Sequence, residues 1–457
     1  MTRKIHLSTR FEPSEEKTFR HVPFDIPAGV HQFHISVSYN DRIDSSPLLN
    51  GGNTLDIGLF DQQGTESGGP GFRGWSGSVR TEITIDDQWA TPPYRAGEID
   101  AGTWNLLFGA YKVGPNGLDI EITISLDTGE EPPLIPPWPN LAELHRTSVP
   151  PAVEPGWYRG DLHMHTVYSD GDSYPHEAAA VAYQSGLDFY GITDHNRARS
   201  PIDLVPQGDG WPVLVPGVEV TTYAGHFNVW GTDRWYDFRN PTAEGIQAAV
   251  DAARADGGLI SKNHPKPYGP PWEYAEVTGF DCIEPWNGWW GYLNNVSTGY
   301  WADALAAADA SSWPVGVCGS DTHKNHVKSD MMTPLSEATM GFPTLWVQTS
   351  DELCAGSILA AIRAGRCFIS ESPSGPQVYV RRDGDELIVH VHGAEGDALL
   401  AVGPEGCVDA ASIPGEDIVH RWPLRERIDA GVPFLRFEIH AVAGGIRALT
   451  NPVWLPR

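Results

Sequence analysis

Two proline-rich stretches divide the chain: EEPPLIPPWPN at 130–140 and SVPPAVEP at 148–155. Proline fixes φ and donates no backbone hydrogen bond, so neither a sheet interior nor a helix can run through such a segment. The chain must fold as one unit before this linker and another after it. The sequence places a first unit at 1–130, a linker at 131–155, a second unit at 156–372 and a further one at 373–457. At 457 residues the chain is long enough for several cores.

The texture differs on the two sides. Before the linker, Phe33, Ile35, Val37 and Tyr39 alternate with polar residues, as do Leu118, Ile120, Ile122, Ile124 and Leu126. Period-two alternation is the mark of a strand with one face on a core. With further strand candidates at Asn53–Leu59 and Gly102–Val113 and a turn at Pro115-Asn116-Gly117, this predicts an N-terminal β-sandwich. After the linker, short apolar runs alternate with helical stretches. The runs are Tyr158–Leu162, Phe189–Thr193, Pro212–Val220, Phe227–Gly231, Gly258–Lys262, Cys282–Pro285 and Val315–Gly319. Helices are predicted over Pro175–Ser185, Thr242–Ala255 and Asp351–Ala364. Strand–helix alternation over seven strands predicts an α/β unit built as a (β/α) barrel. The last part returns to β: QVYVRRDGDELIVHVHG carries an Asp383-Gly384 hairpin signal and predicts a small C-terminal β appendage.

Composition excludes several classes. Charged residues make up 20% and hydrophobic residues 40%, which is a globular balance. No apolar run is long enough to span a bilayer, and the basic start has no apolar segment behind it, so a cytoplasmic protein without membrane partners is expected. The five cysteines form no CxxC pair and no disulfide framework. A net charge of −28 repels phosphate backbones and argues against nucleic acid as a partner.

The 17 histidines carry the functional signal. Many of those in the second unit follow an apolar run. GDLHMHTVYSDG holds His163 and His165, two apart and therefore on one side of a strand, with Asp170 in the loop. GITDHN holds Asp194 and His195, PGVEVTT holds Glu219, and AGHFNVWG holds His226. SKNHP holds His264, and VCGSDTHK holds Asp321 and His323. In a barrel of parallel strands the C-terminal ends share one face, where residues distant in sequence meet. A lone histidine is more often a packed or surface residue than a ligand. Six such clusters in one unit are poorly explained by packing, because burying unpaired ionisable groups is costly. His176 and His326 fit no ligand position and read as surface residues.

HMHTVYSDG, ITDHN, GVEV, NHP and GSDTH together resemble the motif order of the polymerase and histidinol phosphatase (PHP) superfamily, and more closely its CehA/McbA-type metallohydrolases. The resemblance covers about Tyr158 to Ser370. It implies a distorted seven-stranded (β/α) barrel. It also implies a division of labour: one metal on His163, His165, Glu219 and Asp321, a second bridged by Glu219 and completed by His264 and His226, and a third on Asp170, His195 and His323. Asp170 stands where some relatives carry His. Imidazole and carboxylate ligands without thiolate admit two or three divalent ions of Zn, Mn or Fe. Paired metals lower the pKa of a bound water, so the resemblance implies a metal-bound hydroxide as nucleophile; no GxSxG elbow or catalytic cysteine pair is present.

Around these motifs Asp194 and Asp321 are candidates for proton handling or for orienting a metal ligand. Lys262, Arg197 and Lys324 are candidates for binding an anionic group, and Asn196 for orienting substrate or a ligand. The stretch from Trp272 to Trp301 is aromatic; Trp286 within it would be a pocket wall, or the stretch would pack against another unit. The sequence thus predicts a hydrolase of a small ester, first a phosphoesterase. A carbamate, carboxylic ester or amide hydrolase on the same metals comes second, and a non-catalytic metal-binding or assembly protein third. The β units would cover the barrel or mediate self-association.

Overall fold

The structure is a computed structural model and describes residues 3–46, 48–267, 270–325 and 339–456. The first unit contains β1 (Lys4–Phe11), β2 (Phe19–Ile26), β3 (Gln32–Tyr39), β4 (Thr54–Phe60), β5 (Phe72–Gly77), β6 (Glu82–Asp86), β7 (Gly102–Lys112) and β8 (Leu118–Leu126). These form two antiparallel four-stranded sheets, ordered β1-β8-β3-β6 and β2-β7-β4-β5. Phe33, Ile35, Ile122 and Ile124 of one sheet share a core with Ile57, Leu59, Trp104 and Leu106 of the other. The alternation in β8 is what makes this possible: every second residue is buried. β1 and β2 were not evident in the sequence, since β1 is mostly half-exposed and β2 carries Pro23.

The second unit contains β9 (Trp157–Asp161), α1 (Pro175–Gln184), β10 (Phe189–Ile192), β11 (Val213–Thr222), β12 (Gly225–Trp230), α2 (Ala243–Ala255) and β13 (Leu259–Lys262). It continues through β14 (Cys282–Asn287), α3 (Asn294–Ala306), β15 (Val315–Gly319), β16 (Thr344–Gln348), α4 (Ala355–Arg363) and β17 (Cys367–Ser370). All seven apolar runs are strands. Helix α3 was hidden in the aromatic stretch, which lacks an amphipathic period.

The regular strand–helix alternation of a (β/α) barrel is not shown. The fold is mixed α/β and rich in strands, with five α-helices among the described residues. β11 turns directly into β12 and pairs with it antiparallel, as β12 does with β13. Antiparallel neighbours need no crossover helix, which is why the strand–helix repeat breaks between β11 and β12. The strands belong to a fourteen-stranded sheet that runs β15-β14-β13-β12-β11-β10-β9-β16-β17 and onward. Its first seven strands curl until the chain beyond β15 meets the chain beyond β9. The Asp321 amide donates to the His163 carbonyl at 2.8 Å, and the His165 amide to the Thr322 carbonyl at 2.9 Å.

The remaining strands are β18 (Gln377–Asp383), β19 (Glu386–His392), β20 (Ala398–Gly403), β21 (Gly406–Ser412), β22 (Asp417–Pro423), β23 (Phe434–His440), β24 (Ile446–Thr450) and β25 (Val453–Trp454), with a short α5 (Arg425–Asp429). β18, β19 and β22 form a three-stranded sheet whose first hairpin turns at Gly384. β24 pairs with β17, so the other C-terminal strands prolong the central sheet.

The N-terminal unit packs on the outer face of β11 and β12. Phe60, Phe72, Trp75 and Leu107 share one core with Val218, Val220, Phe227 and Trp235. Val218 and Val220 take one face of β11, so Glu219 between them points to the other. No helix among the described residues is long and apolar enough to cross a membrane. All five cysteines are free.

Candidate metal centre

The site begins at the end of β9. Leu162 and Met164 are buried in two apolar cores, and His163 and His165 alternate with them to face the hollow of the curled sheet. Opposite them stands Glu219. One carboxylate oxygen lies 3.4 Å from His163 Nε2, 3.2 Å from His226 Nδ1 and 3.3 Å from His264 Nε2. The other lies 3.5 Å from His165 Nε2 and 2.8 Å from His195 Nδ1. A single buried carboxylate thus touches five imidazoles. Asp321 adds a second carboxylate, 3.3 Å from His163 Nε2 and 3.0 Å from His165 Nε2. On the outer side Asp170 lies 3.2 Å from His323 Nε2 and 3.6 Å from His195 Nε2.

Backbone geometry at the strand ends holds these groups. Asn196, His264 and Asp321 adopt positive φ of 45°, 27° and 55°. Left-handed backbone at non-glycine residues persists only where the surroundings enforce it, and it concentrates at functional sites. Gly319 is required by close approach, since a Cβ there would stand 2.1 Å from the His163 Cβ.

Four groupings of ligand atoms could hold a metal ion, each with all its atoms within 4.8 Å of one another. They are His165, Asp170, His195 and His323; His163, His264 and Asp321; His163, His165 and Glu219; and His195, Glu219 and His226. The donor chemistry fits divalent ions. His163 Nε2 and His264 Nδ1 are buried without a hydrogen-bond partner, a costly state that coordination would relieve. On several rings the second nitrogen is already held, as ligating histidines require. His163 Nδ1 lies 2.8 Å from Glu284 Oε1, His323 Nδ1 lies 2.9 Å from the Asp321 carbonyl, and His195 Nδ1 also meets Thr221 Oγ1 at 2.5 Å.

Without metal the cluster stores protons. Burial alone lowers the His323 imidazole, but the Asp170 carboxylate outweighs it and raises the group to about 10. Burial likewise opposes His163 and His195, and their carboxylate neighbours raise both. His165 goes the other way, to about 3, through burial and the nearby His323 and His195. His323, raised to about 10, is protonated at neutral pH, and ligation needs it neutral, so metal binding there must release a proton. Loading metal in weak buffer at pH 7 is expected to acidify the solution, and apparent affinity is expected to fall as pH falls. Calorimetry in buffers of different ionisation enthalpy would count the protons; a buffer-independent heat would refute this.

Around the ligands lies a shell that sequence reading missed. Glu284, fully buried, takes both the His163 Nδ1 contact and the His264 amide at 3.1 Å. Asp161 accepts from the amides of His163, Ser320 and Gly341 at 3.2, 3.0 and 2.8 Å. Lys266 is buried, donates to the Asn287 carbonyl and Asn294 Oδ1, and is lowered to about 8 by burial, against Asp321 and Glu284. An acidic residue inside an apolar strand, as in CIEPW, is the signal that could have found Glu284. Glu284→Gln is expected to weaken metal binding about 10–100-fold, as loss of such a partner does. Competition with a chromogenic chelator would measure it, and unchanged affinity would count against the role.

Several expected roles need correction. Lys262 does not face the site. It pairs with Phe227 across the sheet and shares its outward face, where its Nζ meets Tyr300 Oη at 2.6 Å among the rings of Trp272 and Phe280. Arg197 is buried and donates to the carbonyls of Gly217 and Thr232 at 2.5 and 3.1 Å, so it braces the loop. Asp194 accepts from the Thr166 amide, the Thr166 hydroxyl and Ser169 Oγ at 2.7, 2.8 and 2.8 Å, contacts that position the His165 loop. Asn196 pairs with the backbone of Thr221 and so orients a contact of His195. Trp286 is a core residue bonded to the Gly288 carbonyl and packed against Trp290. Lys324 is exposed. His176 is buried and stacked on Trp138, not on the surface. His326 lies outside the described residues.

No family model and no curated protein matches the chain. Among solved structures it is similar to a two-domain protein containing a predicted PHP-like metal-dependent phosphoesterase from Bacteroides vulgatus. The identity is 18% and the TM-score 0.37, over 68% of this chain and 99% of that one.

Proposed function

We propose that this chain is a metal-dependent hydrolase of the PHP type that cleaves small phosphate esters. The observation that carries this is Glu219, one buried carboxylate in contact with five imidazoles and flanked by Asp321 and Asp170. His163, His165, Glu219 and Asp321 would hold one ion, Glu219 with His226 and His264 a second, and Asp170, His195 and His323 a third. Bound divalent ions would supply Lewis acidity and a clamp for phosphoryl oxygens. The chain's own part is to fix these ligands. Glu284 and Thr221 set the imidazole orientations, Asp161 and Asp194 anchor the loops, and the apolar cores behind β9 and β11 keep water from the rear of the site.

A second reading is cleavage of a carbamate or carboxylic ester. It is favoured by the cavity beside His195 and His226, of about 240 Å³, in which no lysine or arginine is among the described lining residues. A panel of p-nitrophenyl phosphate, bis-p-nitrophenyl phosphate, aryl carbamates and aryl acetates, run on metal-loaded protein, separates the two. Turnover of the phosphates is expected. Turnover confined to carbamates or acetates would replace the first reading with the second, and no turnover of any member would remove both.

A further inference from the structure

The cavity beside the metal centre is built by both units. His195, His226 and Asp170 form one side. The other comes from the N-terminal sandwich, with Asp56 of β4, Trp75 of β5 and Tyr111 of β7. Tyr223, in the turn between β11 and β12, joins the two: its hydroxyl donates to Asp56 Oδ2 at 2.8 Å, and its ring stacks on Tyr111 with centroids 5.2 Å apart.

Asp56 is 8% exposed, and among the described residues no donor is bonded to its second oxygen, Oδ1. Burial pushes the Asp56 carboxyl up to about 7, and only Oδ2 has a donor among the described residues, the Tyr223 hydroxyl, so a cation at Oδ1 would favour its ionised form. Lys112, at the end of β7, directs its Nζ to the carbonyls of Asp44, Ser46 and Leu49. The cavity therefore has an acidic group on its N-terminal side and candidate metal ligands on the other, with aromatic walls between them and no lysine or arginine among the described lining residues.

We propose that this chamber is a leaving-group subsite selective for esters whose alcohol carries a positively charged nitrogen on an apolar stem, with Asp56 as the specificity-determining residue. This rests on the hydrolase reading above. The scissile end would lie toward His195 and His226, the stem against Trp75 and Tyr111, and the cation at Asp56. A cation there would gain a buried counter-charge, whereas a neutral group of equal size would give Oδ1 no partner.

The test uses the metal-loaded full chain and isosteric pairs, 3-(trimethylammonio)phenyl and 3-tert-butylphenyl esters, made both as phosphates and as acetates. The readout is the kcat/KM ratio of cationic to neutral ester, compared between wild type and Asp56→Asn, so that the difference in intrinsic reactivity cancels. The ratio is expected to fall about tenfold in Asp56→Asn and to be retained in Asp56→Glu. Binding of phenyltrimethylammonium, followed by calorimetry, is expected to weaken by a similar factor in Asp56→Asn. Circular dichroism and metal content would verify that both variants fold. An unchanged ratio, or an unchanged affinity for the ammonium probe, overturns the proposal. If no ester is cleaved, the hydrolase reading fails, while the calorimetry still decides whether Asp56 binds the cation.

Discussion

Glu219→Gln is expected to abolish most metal binding and to lower kcat/KM on the order of 10³-fold. The substitution changes almost no volume, yet it removes the one charge that all five imidazoles share. The metal-free carboxylate is held well below the usual range because, although burial opposes ionisation, His163, His226 and His195 outweigh it. An amide can neither bridge two cations as an anion nor balance protonated imidazoles. Plasma mass spectrometry of protein purified without chelator would read the first effect and initial rates on an ester substrate the second. A full metal complement with unaltered rates would show that Glu219 is not the centre of the cluster. Thermal melts in excess chelator distinguish loss of metal from loss of fold, since an apo Glu219→Gln protein that folds still melts cooperatively, below the apo wild type that keeps the carboxylate among its imidazoles.

The second large effect is expected from Trp230→Ala, a destabilisation of about 3–5 kcal/mol. Trp230 is fully buried at the end of β12, and its indole donates to the Leu162 carbonyl at 2.9 Å. Gly217 opposite it has no side chain because the indole occupies that space; a Cβ would stand 2.7 Å from the ring. Truncation leaves a cavity and an unpaired carbonyl immediately before His163. The loss should therefore appear twice, as a lower urea midpoint by circular dichroism and as weaker metal binding. Trp230→Phe refills most of the volume without the donor and should recover much of the stability and less of the metal affinity. Equal midpoints for wild type and Trp230→Ala would mean that the central sheet tolerates the void.

Much of the strand content was legible because local pattern dictates it. Alternation in Leu118–Leu126 and the apolar runs ending at Gly160-Asp161, Ile192 and Gly319 are properties of short segments, and no distant contact can reverse them cheaply. The ligand candidates were legible for the same reason: a histidine or carboxylate directly after an apolar strand is conspicuous in sequence. Helix α3 was not, because Trp301 and Leu305 are buried without an amphipathic rhythm around them.

Direction and partnership were decided only by the tertiary structure. Nothing local told that β12 runs antiparallel, so a repeating barrel was expected where a mixed sheet curls. The side of the sheet on which Lys262 falls depends on its register with Phe227, and that one pairing removes it from the site. The partners of His163 and His264 on Glu284, and of Tyr223 on Asp56, lie 121, 20 and 167 residues apart in the chain. The sequence by itself determined which residues are able to bind metal, since that is a property of side-chain type and local strand geometry. Only the folded chain decided which of them meet, what holds their second nitrogens, and that the N-terminal sandwich forms one wall of the cavity, because each of these depends on contacts across many residues of intervening chain.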